Sequence, residues 1–127
     1  MGIINKTKAL AHEIVKNHPK LAKHPRSNDW PKIAKSWIST HNICEACGGI
    51  KRLNVHHIKP FHQYPELELD PNNLITLCMG EHECHIKIGH GGNFRTANES
   101  VVVDTQIVYR CFQTIQETIN KARTNRV

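Results

Sequence analysis

The stretch Val55-His56-His57-Ile58-Lys59-Pro60 places two adjacent histidines at the end of an apolar run that favours a β-strand. A Cys-x-x-Cys sequence precedes it at residues 44–47, and Cys78, Cys84 and His85 follow it. Thiolate sulfur and imidazole nitrogen are common zinc ligands in proteins. The pattern therefore predicts that residues 44–90 bind metal and that the rest of the chain is organised around them.

The order Cys-x-x-Cys, His-His, Asn-Leu, Cys-His resembles the HNH nuclease family, over about residues 30–98. This resemblance implies an α+β fold: a small zinc-stabilised ββα-metal core flanked by N-terminal and C-terminal helices. A chain of 127 residues is expected to form a single domain. We divide residues 1–127 into a basic helical arm (1–28), the HNH core (29–98) and a C-terminal helix (99–127).

The four cysteines of the core fall into two pairs, Cys44 with Cys47 and Cys78 with Cys84, as in tetrahedral structural Zn²⁺ sites. Five residues separate the second pair, where the family usually has two, so His82 is the alternative ligand. Four protein ligands leave no open coordination position, and such a site would therefore serve folding and not chemistry.

Adjacent residues of a strand point to opposite faces, so His56 and His57 are not expected to share one role. By resemblance to HNH nucleases, His56 and His85 bind the catalytic metal, and His57 is the general base that activates water. The side chain or the backbone of Asn73 would orient the His57 ring. His90 lies one residue beyond the position where many family members carry a further histidine, and it is predicted to be either a third ligand or a phosphate contact.

The resemblance implies metal-dependent hydrolysis of DNA that leaves 5′-phosphate and 3′-hydroxyl ends. Mg²⁺ or Mn²⁺ is the expected catalytic ion, and histidine ligands also suit Ni²⁺, Co²⁺ or Zn²⁺. The alternatives are a non-cleaving, zinc-stabilised DNA-binding module and a phage DNA-packaging component. A homodimer and a phage or bacterial protein partner both stay open.

The formal charge of +6 is concentrated near the N-terminus, where residues 1–40 hold eight Lys and Arg against Glu13 and Asp29. Such a basic segment fits contact with a phosphate backbone. There is neither an apolar run of about 20 residues nor a secretory signal, which predicts a cytoplasmic protein without a membrane partner. The candidate nucleic-acid contacts are Lys32, Lys35, Lys59, Lys87 and Arg95.

Hydrophobic periodicity predicts helices over residues 3–17, from Asn28 or Asp29 through Ile38, over 81–88 and from Asp104 to about 122. Strands are predicted over 50–58 and 74–78. The proline-containing segment 59–72 is predicted to be a long loop, with Leu67 and Leu69 holding it to the core. A loop of this length is usually functional or covers something.

Several side chains are expected to be structural. Trp30 and Trp37 would belong to the core face of the second helix. The four-residue repeat of Ile107, Cys111, Ile115 and Ile119 predicts that the last helix packs on the core and that Cys111 is a buried free thiol. The histidines without a motif are predicted to be ordinary surface or core residues: His12, His18, His24, His41 and His62.

Overall fold

A computed structural model of the protein describes residues 24–126, so the predicted helix at 3–17, His12 and His18 lie outside the described residues. Helix α1 is Trp30–Thr40, strands β1 and β2 are Leu53–His57 and Leu74–Cys78, and helix α2 is Val101–Thr124. Two 3₁₀ turns, Pro65–Leu67 and Pro71–Asn73, lie between the strands. A π-helical segment, His85–Gly89, follows β2 and is called the π turn below.

The two strands form an antiparallel hairpin in which Leu53 pairs with Cys78 and His57 pairs with Leu74. All five residues of β2 are buried, because both of its faces are covered. On one face, the indole N–H of Trp37 donates to Thr76 Oγ1 over 3.1 Å. On the other, Leu77 lies against Gly89 of the π turn. The α+β class and the second strand are confirmed.

Helix α1 forms where it was predicted. Asp29 occupies the N-cap position without a side-chain hydrogen bond, and Pro31 lies in the first turn, where a missing N–H costs nothing. Ile33 and Trp37 are half-buried against the hairpin, whereas the lysines of the helix are exposed. The amphipathic pattern of this segment therefore predicted both its structure and its orientation.

Two elements differ from their predicted form. Strand β1 begins at Leu53 and not at residue 50, because Arg52 has a positive φ of 51° that interrupts an extended chain. A continuous helix over 81–88 is absent because Glu83 has a φ of 48°, which a right-handed helix excludes. The helical part begins only at His85, as the π turn.

Helix α2 begins at Val101, three residues before the predicted start. Asp104 is in its first turn, where the carboxylate accepts a 2.7 Å hydrogen bond from Asn98 Nδ2. Val101 and Thr105 are buried, and Val108 packs against the core. Within residues 24–126, no helix has the length and apolar character that a membrane span requires.

The prediction that the last helix packs on the core holds only for its first turns, and the prediction that Cys111 is buried is wrong. Ile107 and Ile115 are 53% and 56% exposed, and Cys111 is also exposed instead of buried. A helix of 24 residues is about 36 Å long, and the small hairpin core covers only its first turns. The apolar residues therefore continue along α2 beyond the part of the helix that the core covers.

We predict that Val101→Ala destabilises the protein by about 2 kcal/mol, because it empties space at a fully buried position. Ile115→Ala, a larger truncation at an exposed position, should change stability by no more than about 0.5 kcal/mol. Thermal unfolding of the two variants side by side measures the difference. Equal losses would contradict the placement of α2.

Candidate metal centres and active site

The sulfur atoms of Cys44, Cys47, Cys78 and Cys84 lie within 4.8 Å of one another. The distance between the sulfurs of Cys47 and Cys78 is 3.7 Å. Bonds of about 2.3 Å to a tetrahedral zinc ion would place its sulfur ligands about 3.8 Å apart. The four-cysteine cluster therefore has the dimensions of a structural zinc site.

Backbone turns present both cysteine pairs. Gly48 has a φ of 76° and donates its N–H to the Cys44 carbonyl over 2.8 Å, which closes the first knuckle. In the second pair, the turn Gly80–Glu83 absorbs the additional residues before Cys84. His82, the alternative ligand, instead packs its ring 4.7 Å from that of Phe112. The structure thus brings Cys84 and not His82 into the cluster.

The thiols of the cluster do not ionise independently. A hydrogen bond from Cys84 lowers the pKa of Cys44 to about 4, and the same interaction raises the pKa of Cys84. Burial raises the pKa of Cys47 to about 11. Protein groups alone thus favour the thiolate at Cys44 and the neutral thiol at Cys47 and Cys84, and four thiolates need a bound cation to balance their charge.

We predict that Cys47→Ser abolishes zinc binding and leaves the protein insoluble or unfolded, because zinc binding by such a cluster contributes to the free energy of folding. His82→Ala is the matched control and should keep one tightly bound zinc ion per chain. Metal content by elemental analysis, with circular dichroism, measures both. A stable, zinc-free and active Cys47→Ser protein would refute the assignment.

The second cluster consists of His56, His85 and His90, whose nitrogen ligand atoms lie within 4.8 Å of one another. His56 Nδ1 and His85 Nε2 are 3.1 Å apart. Burial is the main cause that lowers the pKa of His56 to about 3 and that of His85 to about 4, and the neighbouring imidazoles lower both further. Both rings are therefore neutral at neutral pH, as metal binding requires.

The π turn explains how His90 reaches this cluster. Its N–H donates to the His85 carbonyl over 3.1 Å, a bond that spans five residues where an α-helix spans four. Because the π turn is wider than an α-helical turn, His90 lies next to His85, in the position that the fourth residue after His85 would occupy in an α-helix. That fourth residue is Gly89, and a Cβ there would lie 3.1 Å from the His56 ring.

The connector after the π turn fixes the His90 ring. His90 Nδ1 donates to the Thr96 carbonyl over 2.9 Å, and this leaves Nε2 as the nitrogen available to a metal. A backbone carbonyl on the second nitrogen is a common way to orient a metal-binding histidine. Asn98 adds a bond from Nδ2 to the Ile88 carbonyl over 2.9 Å. The three histidines therefore fit a divalent cation.

We predict that Gly89→Ala weakens metal binding at the histidine cluster by about tenfold or more, since it displaces the His56 ring. Gly91→Ala is the control for conformational effects, because a Cβ there meets nothing within 4 Å although its φ is 63°. Titration with Co²⁺ or Ni²⁺, followed calorimetrically, measures the affinity. Equal affinities in the two variants would contradict the close packing of Gly89.

His57 lies beside this cluster but has different partners. Its Nε2–H donates to the backbone carbonyl of Glu68 over 2.9 Å. The ring packs 4.4 Å from the ring of Trp30, and burial lowers its pKa. Since Nε2 carries the hydrogen in this bond, the neutral ring keeps the lone pair of Nδ1 free.

The side-chain hydrogen bonds of Asn73 go to the long loop and not to the His57 ring. Its Oδ1 accepts from the Lys59 N–H over 2.7 Å, and its Nδ2 donates to the carbonyls of Lys59 and Leu67. The His57 ring itself bonds to the carbonyl of Glu68, the residue after Leu67, so Asn73 would act on the ring only through this segment. Asn73 binds both Lys59 and Leu67, at the two ends of the segment that precedes Glu68.

The predicted nucleic-acid contacts differ in their surroundings. Lys59 Nζ lies 5.3 Å from the centroid of the Tyr64 ring, and Lys87 pairs with Glu83 over 3.4 Å on an exposed surface. Lys32 and Lys35 are exposed on α1, and Arg95 is exposed beside Phe94.

A cavity of about 260 Å³ opens in front of His57 and of all three clustered histidines. Four residues of this region were not singled out from the sequence as site residues: Arg26, Trp30, Glu68 and Phe94. Trp30, expected in the core, packs on His57 instead, and Phe94 packs on His85 and His90. His62, expected to be ordinary, also lines the cavity. No sequence motif marks these positions, which only the fold brings together.

The fold and its two clusters define a small α+β protein with a cysteine site for a structural metal and a histidine site that opens on a cavity. Residues 44–91 match the family model described as HNH endonuclease, and this confirms the resemblance for the segment that holds both clusters. Comparison with curated proteins and with solved structures found no match. Residues 44–91 are thus similar to the core of HNH endonucleases.

Proposed function

We propose that this protein is a metal-dependent DNA endonuclease in which His57 activates the attacking water. The observation that carries the proposal is the position of His57, whose Nε2 is occupied by the Glu68 carbonyl. It lies at the same cavity as His56, His85 and His90. A general base beside a metal-binding triad can supply both the proton acceptor and the positive charge that hydrolysis of a phosphodiester uses.

His57 takes a proton from water at Nδ1. Its lowered pKa keeps the ring neutral before the reaction. Protonation then makes both ring nitrogens donors, and the Glu68 carbonyl continues to accept from Nε2. Asn73, through the Leu67 carbonyl and Lys59, holds the loop in the position that this bond requires.

The three clustered histidines would hold the catalytic divalent ion. Such an ion supplies positive charge to the phosphate and to the leaving oxygen. Mg²⁺ and Mn²⁺ are the proposed ions in cells by resemblance to the family, although both prefer oxygen ligands, and three imidazoles suit Ni²⁺, Co²⁺ or Zn²⁺ better.

DNA is the proposed substrate. The support is the family match of the core, the net charge of +6 and exposed basic side chains at Lys32, Lys35 and Arg95. These cations would contact phosphates of the strand outside the cavity. Lys59 and Lys87 already contact Tyr64 and Glu83, and we assign them a smaller share of binding.

We predict that His57→Ala lowers the cleavage rate by about 10²–10⁴-fold while DNA binding is retained. Supercoiled plasmid is incubated with protein that has lost its weakly bound metal, with Mg²⁺, Mn²⁺, Ni²⁺ or Zn²⁺ then added back. The balance between nicked and linear product is read from the same gels.

His41→Ala is the matched control, because the His41 ring stacks on Trp37 at 3.6 Å and lies on an exposed surface. It should cleave as fast as the unchanged protein. Wild-type rates in His57→Ala would refute the base. Absence of cleavage with every metal, together with a retained gel shift, would favour a DNA-binding module.

A further inference from the structure

Arg26 is a charged side chain at the cavity that the mechanism above does not use. Its guanidinium carbon lies 4.4 Å from the centroid of the Phe61 ring and 5.1 Å from that of Trp30. Two aromatic contacts restrict a side chain that would otherwise be flexible. The side chain is nevertheless 50% exposed and lines the same cavity as His57.

Glu68 holds this arginine and the proposed base together. Its carboxylate Oε1 accepts from Arg26 Nη1 over 3.4 Å, and Oε2 accepts from the Ser27 N–H over 3.0 Å. Its backbone carbonyl accepts from His57. Glu68 is only 5% exposed, so a buried residue fixes the segment before α1 relative to His57.

The unused donors of Arg26 decide what it can bind. A guanidinium has five N–H donors, and one nitrogen contacts Glu68 in the structure. The remaining donors are available to an anion at the cavity. A planar fork of N–H groups matches two oxygens of a phosphate, a geometry that lysine cannot offer.

We propose that Arg26 binds a phosphate of the DNA strand at the cavity and so positions the substrate next to His57. This inference rests on the proposed function, because DNA is the phosphate source. The alternative is an arginine that only pairs with the buried carboxylate of Glu68, so that its loss would affect folding and not contact with DNA.

The experiment compares Arg26→Ala and Arg26→Gln with Arg123→Ala, which removes the same charge near the C-terminal end of α2. The first readout needs no cleavage. Binding of a short fluorescent duplex is measured by anisotropy over a range of salt, with no divalent ion added. We expect both Arg26 variants to bind more weakly and to lower the salt slope by about one.

The second readout is plasmid cleavage with the most active ion. Arg26→Ala should lower kcat/KM by about tenfold or more, Arg26→Lys should recover part of that loss, and Ni²⁺ affinity at the histidine cluster should be unchanged. Arg26→Gln keeps a planar group that can pair with Glu68, so it separates loss of charge from loss of structure.

Arg26 variants that match Arg123→Ala in salt slope and cleavage would overturn the proposal. The proposal would also be overturned if Arg26→Gln bound DNA as the unchanged protein does while Arg26→Ala unfolded. If wild-type protein cleaves nothing, the proposed nuclease fails. The salt slope then still decides whether Arg26 contacts phosphate.

Discussion

The close approach of four cysteine sulfurs, within 4.8 Å of one another, is the constraint on which the rest of the structure depends. Cys44 and Cys47 come from the knuckle before β1, whereas Cys78 and Cys84 come from the end of β2 and the turn beyond it. With so few fully buried apolar side chains, a two-stranded hairpin has a small core. A cation among these sulfurs would replace the cohesion that a larger core supplies elsewhere.

The long loop between the strands is organised from its interior. Asn73 fixes the beginning of the loop at Lys59 and its middle at Leu67, and Glu68 follows with both its carbonyl and its carboxylate engaged. Glu68, which belongs to no sequence motif, thereby connects His57 of β1 to the segment before α1. Polar contacts of buried groups thus act together with the packing of Trp30 on His57 to give this side of the cavity its shape.

Sequence reasoning predicted those parts of the protein that depend on short spacing. The pairs Cys44–Cys47 and His56–His57 each lie within one turn or strand, and the structure places them as their spacing implies. The pairing of Arg26 with Glu68 spans 42 residues, and no local pattern records it. The apolar repeat of α2 was misleading, because periodicity indicates a face but not the length of core that covers it.

His90 shows where spacing alone was insufficient. Its offset of five from His85 is wrong for an α-helix, and only the π turn makes the two rings neighbours. Gly89 leaves room for the His56 ring beside that turn, the Thr96 carbonyl accepts from the His90 ring, and Asn98 donates to the Ile88 carbonyl. None of these three residues belongs to the motif. The departure from the usual family spacing is thus compensated by local backbone geometry.

Cys84 and His85 are consecutive residues, yet they face two clusters of different character. Sulfur ligands at mostly buried positions favour a slowly exchanging ion, whereas three imidazoles at an open cavity allow rapid exchange. A chelator would then strip the histidine cluster while the cysteine cluster keeps its ion and the chain stays folded. Two consecutive residues would thus bind one cation that stays in the folded protein and one that can be exchanged.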